Sequence, residues 1–203
     1  MSSTNRGGER AASDYYVTPI PAIENFLRAW WDDFPEVLAH IERISDPCSG
    51  GTMEGKILTK RMSYPTAIEN CRTLFPQWIG TVKTMDIRLD SPANIHADYL
   101  NSELGTNSDL IISNPPFCLA SQFIRKALQD VKTGGYVAFL LRLNFLGGTT
   151  EKPKLWADVG LPVRVYVHAK RMSFTGGRTD SIEYMHAIWR SGVRATETIL
   201  KVI

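Results

Sequence analysis

Four consecutive residues, Asn114, Pro115, Pro116 and Phe117, follow the largely apolar run at residues 109–113 and carry the most pointed chemistry in the sequence. Two prolines in succession remove backbone donors and stiffen the chain as it leaves a strand, so nearby carbonyls are held at fixed angles. A planar amino group needs two acceptors to orient it and a ring to lie against; the Asn114 side-chain oxygen, the Pro115 carbonyl and the Phe117 ring are of those types. A rigid proline turn after a core strand is the plainer reading of the same tetrapeptide.

Two further segments have the make-up of strand-end binding loops. Asp46, Pro47, Cys48, Ser49, Gly50 and Gly51 join an acid to small residues that let the backbone approach a ligand closely. Asp86 stands near the end of another segment that reads as a strand, residues 82–87. A single acid at a strand end is commonly a helix or turn cap, so the weight rests on the order of these segments.

The elements that must position them are read from periodicity. Ile23, Phe26, Leu27, Trp30 and Phe34 recur at helical spacing between Pro21 and Pro35. A second helix is predicted over 65–75, with Ile68, Cys71, Leu74 and Phe75 on one side. A third carries Phe123, Ile124, Ala127, Leu128 and Val131 and stops at Gly134 and Gly135. Strands are predicted over 41–45, 82–87, 109–113 and 136–141, through the alternating Val163, Val165 and Val167, and finally over 184–190. Strands alternating with helices give an α/β sandwich with a largely parallel sheet, whose ligands bind beyond the carboxyl ends of the strands. The three segments above occupy such ends.

On these residues the chain resembles the class I S-adenosylmethionine-dependent methyltransferases, most of all the DNA enzymes that methylate adenine N6. Their hallmark, Asn, Asp or Ser followed by Pro-Pro and an aromatic residue, is matched by residues 114–117. The likeness spans residues 14–190 and is strongest to adenine methyltransferases of the phage or mobile-element kind. It implies a Rossmann-like methyltransferase sandwich, with a largely parallel seven-stranded sheet and helices on both faces. S-adenosylmethionine is the implied cofactor, DNA the implied partner, and no metal is required.

Residue by residue, Tyr16, Thr18 and Pro19 lie in a segment similar to the one that closes over the methionine end of the cofactor. Asp46, Pro47, Cys48 and Gly50 resemble the cofactor loop, which departs from the commoner Gly-x-Gly ending by reading Gly50-Gly51. Asp86 matches the acid that holds the ribose hydroxyls, and Ile87 the residue that packs on the cofactor adenine. Asp98 and Tyr99 resemble the next motif, whose acid accepts from the adenine amino group. Asn114, Pro115, Pro116 and Phe117 are the implied catalytic turn, and Phe174, Arg142 and Asn144 the implied substrate contacts. Phe174 stands where related enzymes place an aromatic wall for the flipped base; a core phenylalanine is the alternative.

At 203 residues and 22.8 kDa, with 43% hydrophobic and 22% charged residues, the chain suits one globular domain and excludes disorder along most of its length. Residues 1–13 read as a flexible arm and 14–203 as a single domain. No separate target-recognition domain is expected, so recognition falls to loops at 147–161 and 173–180 or to a second subunit, with a homodimer left open. The richest apolar run, 136–146, contains Arg142 and is well short of the roughly 20 residues of a membrane span. The polar N-terminus has no signal-peptide character, which points to the cytoplasm of a bacterium or phage-infected host. Cys48, Cys71 and Cys118 lack metal-ligand spacing and suit reduced thiols. From Arg142 onward there are 10 Lys/Arg against 5 Asp/Glu, leaving 13 against 16 for the rest, so the excess positive charge lies where a polyanion could approach.

Other readings stay open on the sequence alone. Residues 50–56 match phosphate-loop spacing up to Lys56, although Ile57 replaces the Ser or Thr that would hold magnesium. An Asn-Pro-Pro-aromatic turn also occurs in enzymes that methylate RNA guanine N2 or protein glutamine, since it recognises a planar amino or amide group whatever its owner. A noncatalytic binding module that kept the fold is a further alternative.

Overall fold

The computed structural model describes residues 17–102, 107–148, 150–174 and 181–203; the expected N-terminal arm and Tyr16 lie outside them. Helix α1 (Ile20–Asp33) takes Pro21 in its first turn and buries Ile23, Phe26, Leu27 and Trp30. Pro35 stops it and opens the short α2 (Pro35–Ala39). Then follow β1 (Ile44–Asp46), a hairpin of β2 (Thr52–Glu54) and β3 (Ile57–Lys60), α3 (Ser63–Asn70), β4 (Lys83–Asp86), β5 (Ile95–His96) and β6 (Leu110–Ser113). Helix α4 (Ala120–Asp130), β7 (Tyr136–Arg142), α5 (Glu151–Val159), β8 (Arg164–Val167), β9 (Tyr184–Arg190) and β10 (Ile199–Val202) complete the chain.

Among the described residues the main sheet has eight strands in the order β10-β8-β9-β7-β6-β1-β4-β5, not the expected seven. It is mixed: β9 runs antiparallel to β7 and β8, and the other pairs are parallel. The strand over 184–190 is not the last. Beyond it, β10 pairs with β8 and is tied down by Lys201, whose ammonium meets Asp33 at 2.7 Å while Arg164 and Tyr166 bond the same carboxylate.

Buried residues alternate between the two faces, as the pleat requires. Ile112, Ala138, Leu140, Tyr184 and Ile188 pack with α1 and α3, whereas Ile111, Val137, Phe139, Leu141, Met185 and Ala187 pack with α4 and α5. Residues 147–161, expected as a recognition loop, contain α5 instead. Leu155 is fully buried there and Trp156 stacks over Trp189. The phosphate-loop reading also falls: residues 52–60 form the hairpin, with Gly55 at φ 62° in its two-residue turn and Lys56 exposed, so a strand and not a helix N-terminus follows Lys56 directly.

Candidate functional site

The carboxyl ends of β1, β4 and β6 open into one cavity of about 410 Å³. The chain reaches it from several sides because parallel strands deliver their exits to the same edge of the sheet. From the β1 exit come Pro47, Cys48, Gly50 and Gly51. From β4 come Asp86, Ile87 and Arg88, and from the segment after β5 come Asp98 and Tyr99. Asn114, Pro116, Cys118 and Leu119 enter from the β6 exit, and Val17 and Thr18 from the strap ahead of α1.

The β1 loop is braced from below. Asp46 is fully buried; its Oδ1 accepts from the Ser113 hydroxyl at 2.6 Å and the Cys48 amide at 3.2 Å, while Oδ2 is buried with no hydrogen-bond partner. Burial, reinforced by the charge of nearby Asp86, pushes the Asp46 carboxyl up to about 7 despite those bonds. Asp86 holds the loop's far end, accepting from the Gly50 amide at 2.8 Å and the Arg88 amide at 2.9 Å. Gly51 has φ 77°, and a Cβ there would stand 2.8 Å from the Pro92 ring, so only glycine lets the loop lie flat against the β4–β5 connection. Asp98 accepts from the Leu100 amide at 3.0 Å, capping the turn that carries Tyr99.

At the β6 exit, Asn114 donates from Nδ2 to the Thr18 hydroxyl at 3.0 Å, which ties the acceptor turn to the strap. Pro115 is buried beneath the turn and does not line the cavity. Phe117 packs with Tyr184 at a ring separation of 5.8 Å, and Phe174 meets Tyr184 edge-to-face at 4.9 Å. The Arg142 guanidinium lies 4.9 Å over the Phe117 ring. An aromatic wall thus adjoins the acceptor turn, with Phe174 and Arg142 joined to it through Tyr184 and Phe117.

Of the residues singled out from sequence, Thr18, Pro47, Cys48, Gly50, Asp86, Ile87, Asp98, Tyr99, Asn114 and Pro116 share the cavity. Asp46 supports it from beneath. Phe117, Phe174 and Arg142 form the adjoining wall, whereas Pro19 and Asn144 lie off the cavity, Asn144 exposed in a turn after β7. Sequence reasoning missed Ser63 and Tyr64, which line the cavity from the start of α3, and Ser113, which braces Asp46. It also missed His186, fully buried and bonded to Tyr64. A histidine inside the apolar run Tyr184–Arg190 was the available signal, because a buried imidazole needs partners.

No protein-family model matches the sequence, and no curated protein matches it. Solved structures do. A Listeria monocytogenes protein provisionally assigned as a class I S-adenosylmethionine-dependent methyltransferase superposes with a TM-score of 0.65 at 17% identity, over 92% of this chain and 65% of that one. The methyltransferase subunit of a type I restriction-modification system from Streptococcus thermophilus gives 0.63 at 15% identity, over 92% of this chain and 47% of that one. The chain has the class I methyltransferase fold. It spans less than two thirds of the length of either structure. Among the described residues, no helix is long and apolar enough to cross a membrane.

Proposed function

We propose that this methyltransferase-fold protein transfers a methyl group from S-adenosylmethionine to N6 of adenine in DNA, with the base flipped out or single-stranded. The observation that carries the reading is the Asn114–Phe117 turn at the rim of the cavity, its Asn114 amide anchored to Thr18 and its Phe117 ring set in an aromatic wall. The likeness to a type I restriction-modification methyltransferase subunit favours DNA over other owners of a planar amino group.

The residues present suit the cofactor. The cavity volume falls within the roughly 300–1,000 Å³ of small-molecule sites. The buried Asp46 Oδ2, without a partner, is the kind of group that a cationic ligand completes. In this reading the 46–51 loop and Asp86 hold the methionine and ribose portions, while Ile87, Asp98 and Tyr99 take the adenine. When bound, S-adenosylmethionine supplies an electrophilic methyl group, so no side chain need be made a nucleophile. The protein's work is orientation: Asn114 accepts from the target amino group and holds its nitrogen in line, Pro115, buried beneath the turn, stiffens it, and Phe117 stacks on the base. Extrusion of a duplex base costs a few kcal/mol, which the stacking wall offsets.

Methyl transfer from labelled S-adenosylmethionine to DNA, followed by nucleoside analysis, tests the reading. N6-methyladenine formed by the wild type and lost in Asn114→Ala supports it; label found only in RNA or protein transfers the reading to those acceptors, and no label anywhere overturns it.

A further inference from the structure

We infer that the β2–β3 hairpin is an arm that grips duplex DNA beside the cavity, with Lys56, Lys60 and Arg61 on the phosphates and Ile57 against the base stack. The inference rests on the reading of DNA as the substrate and adds the element that holds the duplex. Gly50 and Gly51 line the cavity just before the hairpin, and Ser63 and Tyr64 line it just after, so both feet of the arm stand on the cavity rim. Those feet are fastened. The Met53 amide donates to the Asp90 carbonyl at 2.6 Å, and the Arg88 guanidinium donates to the Gly51 carbonyl at 2.8 Å. Beyond them the ribbon forms a two-stranded sheet of its own, and every residue from Glu54 to Arg61 is exposed.

A lone two-stranded ribbon is marginal in water unless its side chains pack against something. Ile57 and Leu58 do little of that, being 70% and 48% exposed, so they contribute little to folding and are free to serve a partner. Ile57 follows the Gly55-Lys56 turn directly and pairs with Glu54, which sets it at the tip. Charge selects the partner. Residues 54–61 hold three cations against the single acid Glu54. A second copy of the arm would bring like charges together, whereas duplex DNA presents a negative charge about every 1.7 Å along its axis. Strands of three and four residues, at about 3.3 Å per residue, carry the tip roughly 10–13 Å from the rim, or three to four base-pair steps. The arm therefore meets the duplex within a few pairs of a base drawn into the cavity. Aliphatic side chains at such a place act as wedges between base steps, and unstacking the neighbours lowers the cost of extruding the target.

Two variants test the arm, and since every substituted side chain is exposed, both should keep the urea midpoint and the S-adenosylmethionine affinity of the wild type. Lys56→Ala, Lys60→Ala and Arg61→Ala combined should weaken binding to a short duplex about 10- to 100-fold at about 0.1 M salt. The same triple variant should lower the slope of log affinity against log salt by about 2 to 3, because each neutralised phosphate contributes about 0.9. Ile57→Ser should keep the slope and lose most of the fluorescence rise that 2-aminopurine beside an adenine gives when the wild type binds. A triple variant that binds the duplex as tightly as the wild type, with the same slope, overturns the inference while the proposed methyl transfer to DNA stands. An undiminished 2-aminopurine signal in Ile57→Ser overturns the wedge role of that side chain. Cations that hold RNA or a protein more tightly than the duplex overturn DNA as the arm's partner. A wild-type protein that binds the duplex through the arm and transfers no methyl group to DNA removes the proposed function instead.

Discussion

A side chain's chemistry and its placement were unequally visible before the fold was known. Asn114, Asp86 and the 46–51 loop announced themselves by composition at strand exits, and the structure gathers them around one cavity. The partner that orients Asn114 did not: Thr18 lies 96 residues away in the chain, and nothing in its neighbours points to the acceptor turn. Asn114→Ala separates the two halves of the site. It should reduce single-turnover transfer by roughly a hundredfold or more, since about 1 Å of misplacement can cost that much, while calorimetry finds cofactor affinity almost intact. Asp86→Ala should do the opposite and weaken cofactor binding by about 1.5–3 kcal/mol, the range for hydrogen bonds to a charged group. The Gly50 and Arg88 amides lose their acceptor in that variant, so the loop relaxes and the effect on binding is reinforced. An unchanged affinity in a folded Asp86→Ala protein would remove Asp86 from the cofactor site.

At the level of elements, long periodic segments were legible and short or edge ones were not. Helices α1 and α4 and the β7 strand carry enough apolar repeats to fix their identity. The β5 strand has two residues and β10 is mostly exposed, so neither offers a burial pattern, and the sheet has two strands more than the six read from periodicity. Glycines and a proline around 147–153 disguised α5 as a loop, although Leu155, Trp156 and Val159 form a narrow apolar stripe. The helix packs firmly: Leu155 is fully sequestered, and the Trp189 indole donates to the Gly160 carbonyl at the helix end. Leu155→Ala should therefore cost about 2–5 kcal/mol, the range for a buried leucine truncated in a close-packed core. Urea unfolding should show this as a lower midpoint with an unchanged slope. A loop free to engage DNA would lose almost nothing on the same substitution.

Across the molecule as a whole, the site leaves a signature in the pH dependence of stability. Burial holds the folded-state value of His168 down at about 4 and depresses His186 further, with His168 adding to the effect. An unfolded chain protonates both near the ordinary imidazole value of about 6.5. Between roughly pH 4 and 6.5 the unfolded state thus binds more protons at these two positions, and folding stability rises with pH there. Asp46 works against them. Its folded value of about 7 lies above the ordinary carboxyl value, so between about pH 4 and 7 the folded state binds the extra proton and stability falls as pH rises. Asp33 and Asp109 have folded values held below the ordinary range by their cationic and hydrogen-bonding partners, despite burial, and contribute little slope in that window. Each fully exchanging site is worth up to about 1.4 kcal/mol per pH unit, so two imidazoles outweigh one carboxyl. Stability should therefore climb from pH 4.5 to 6.5 and level off near 7. Asp46→Asn removes the opposing slope and should steepen the climb, whereas His186→Leu removes one of the two supporting slopes and should flatten it. Urea midpoints of the three proteins at pH 4.5, 5.5, 6.5 and 7.5 read these slopes directly. Identical pH profiles would show that neither the carboxyl under the loop nor the imidazole behind the acceptor turn titrates as its burial requires.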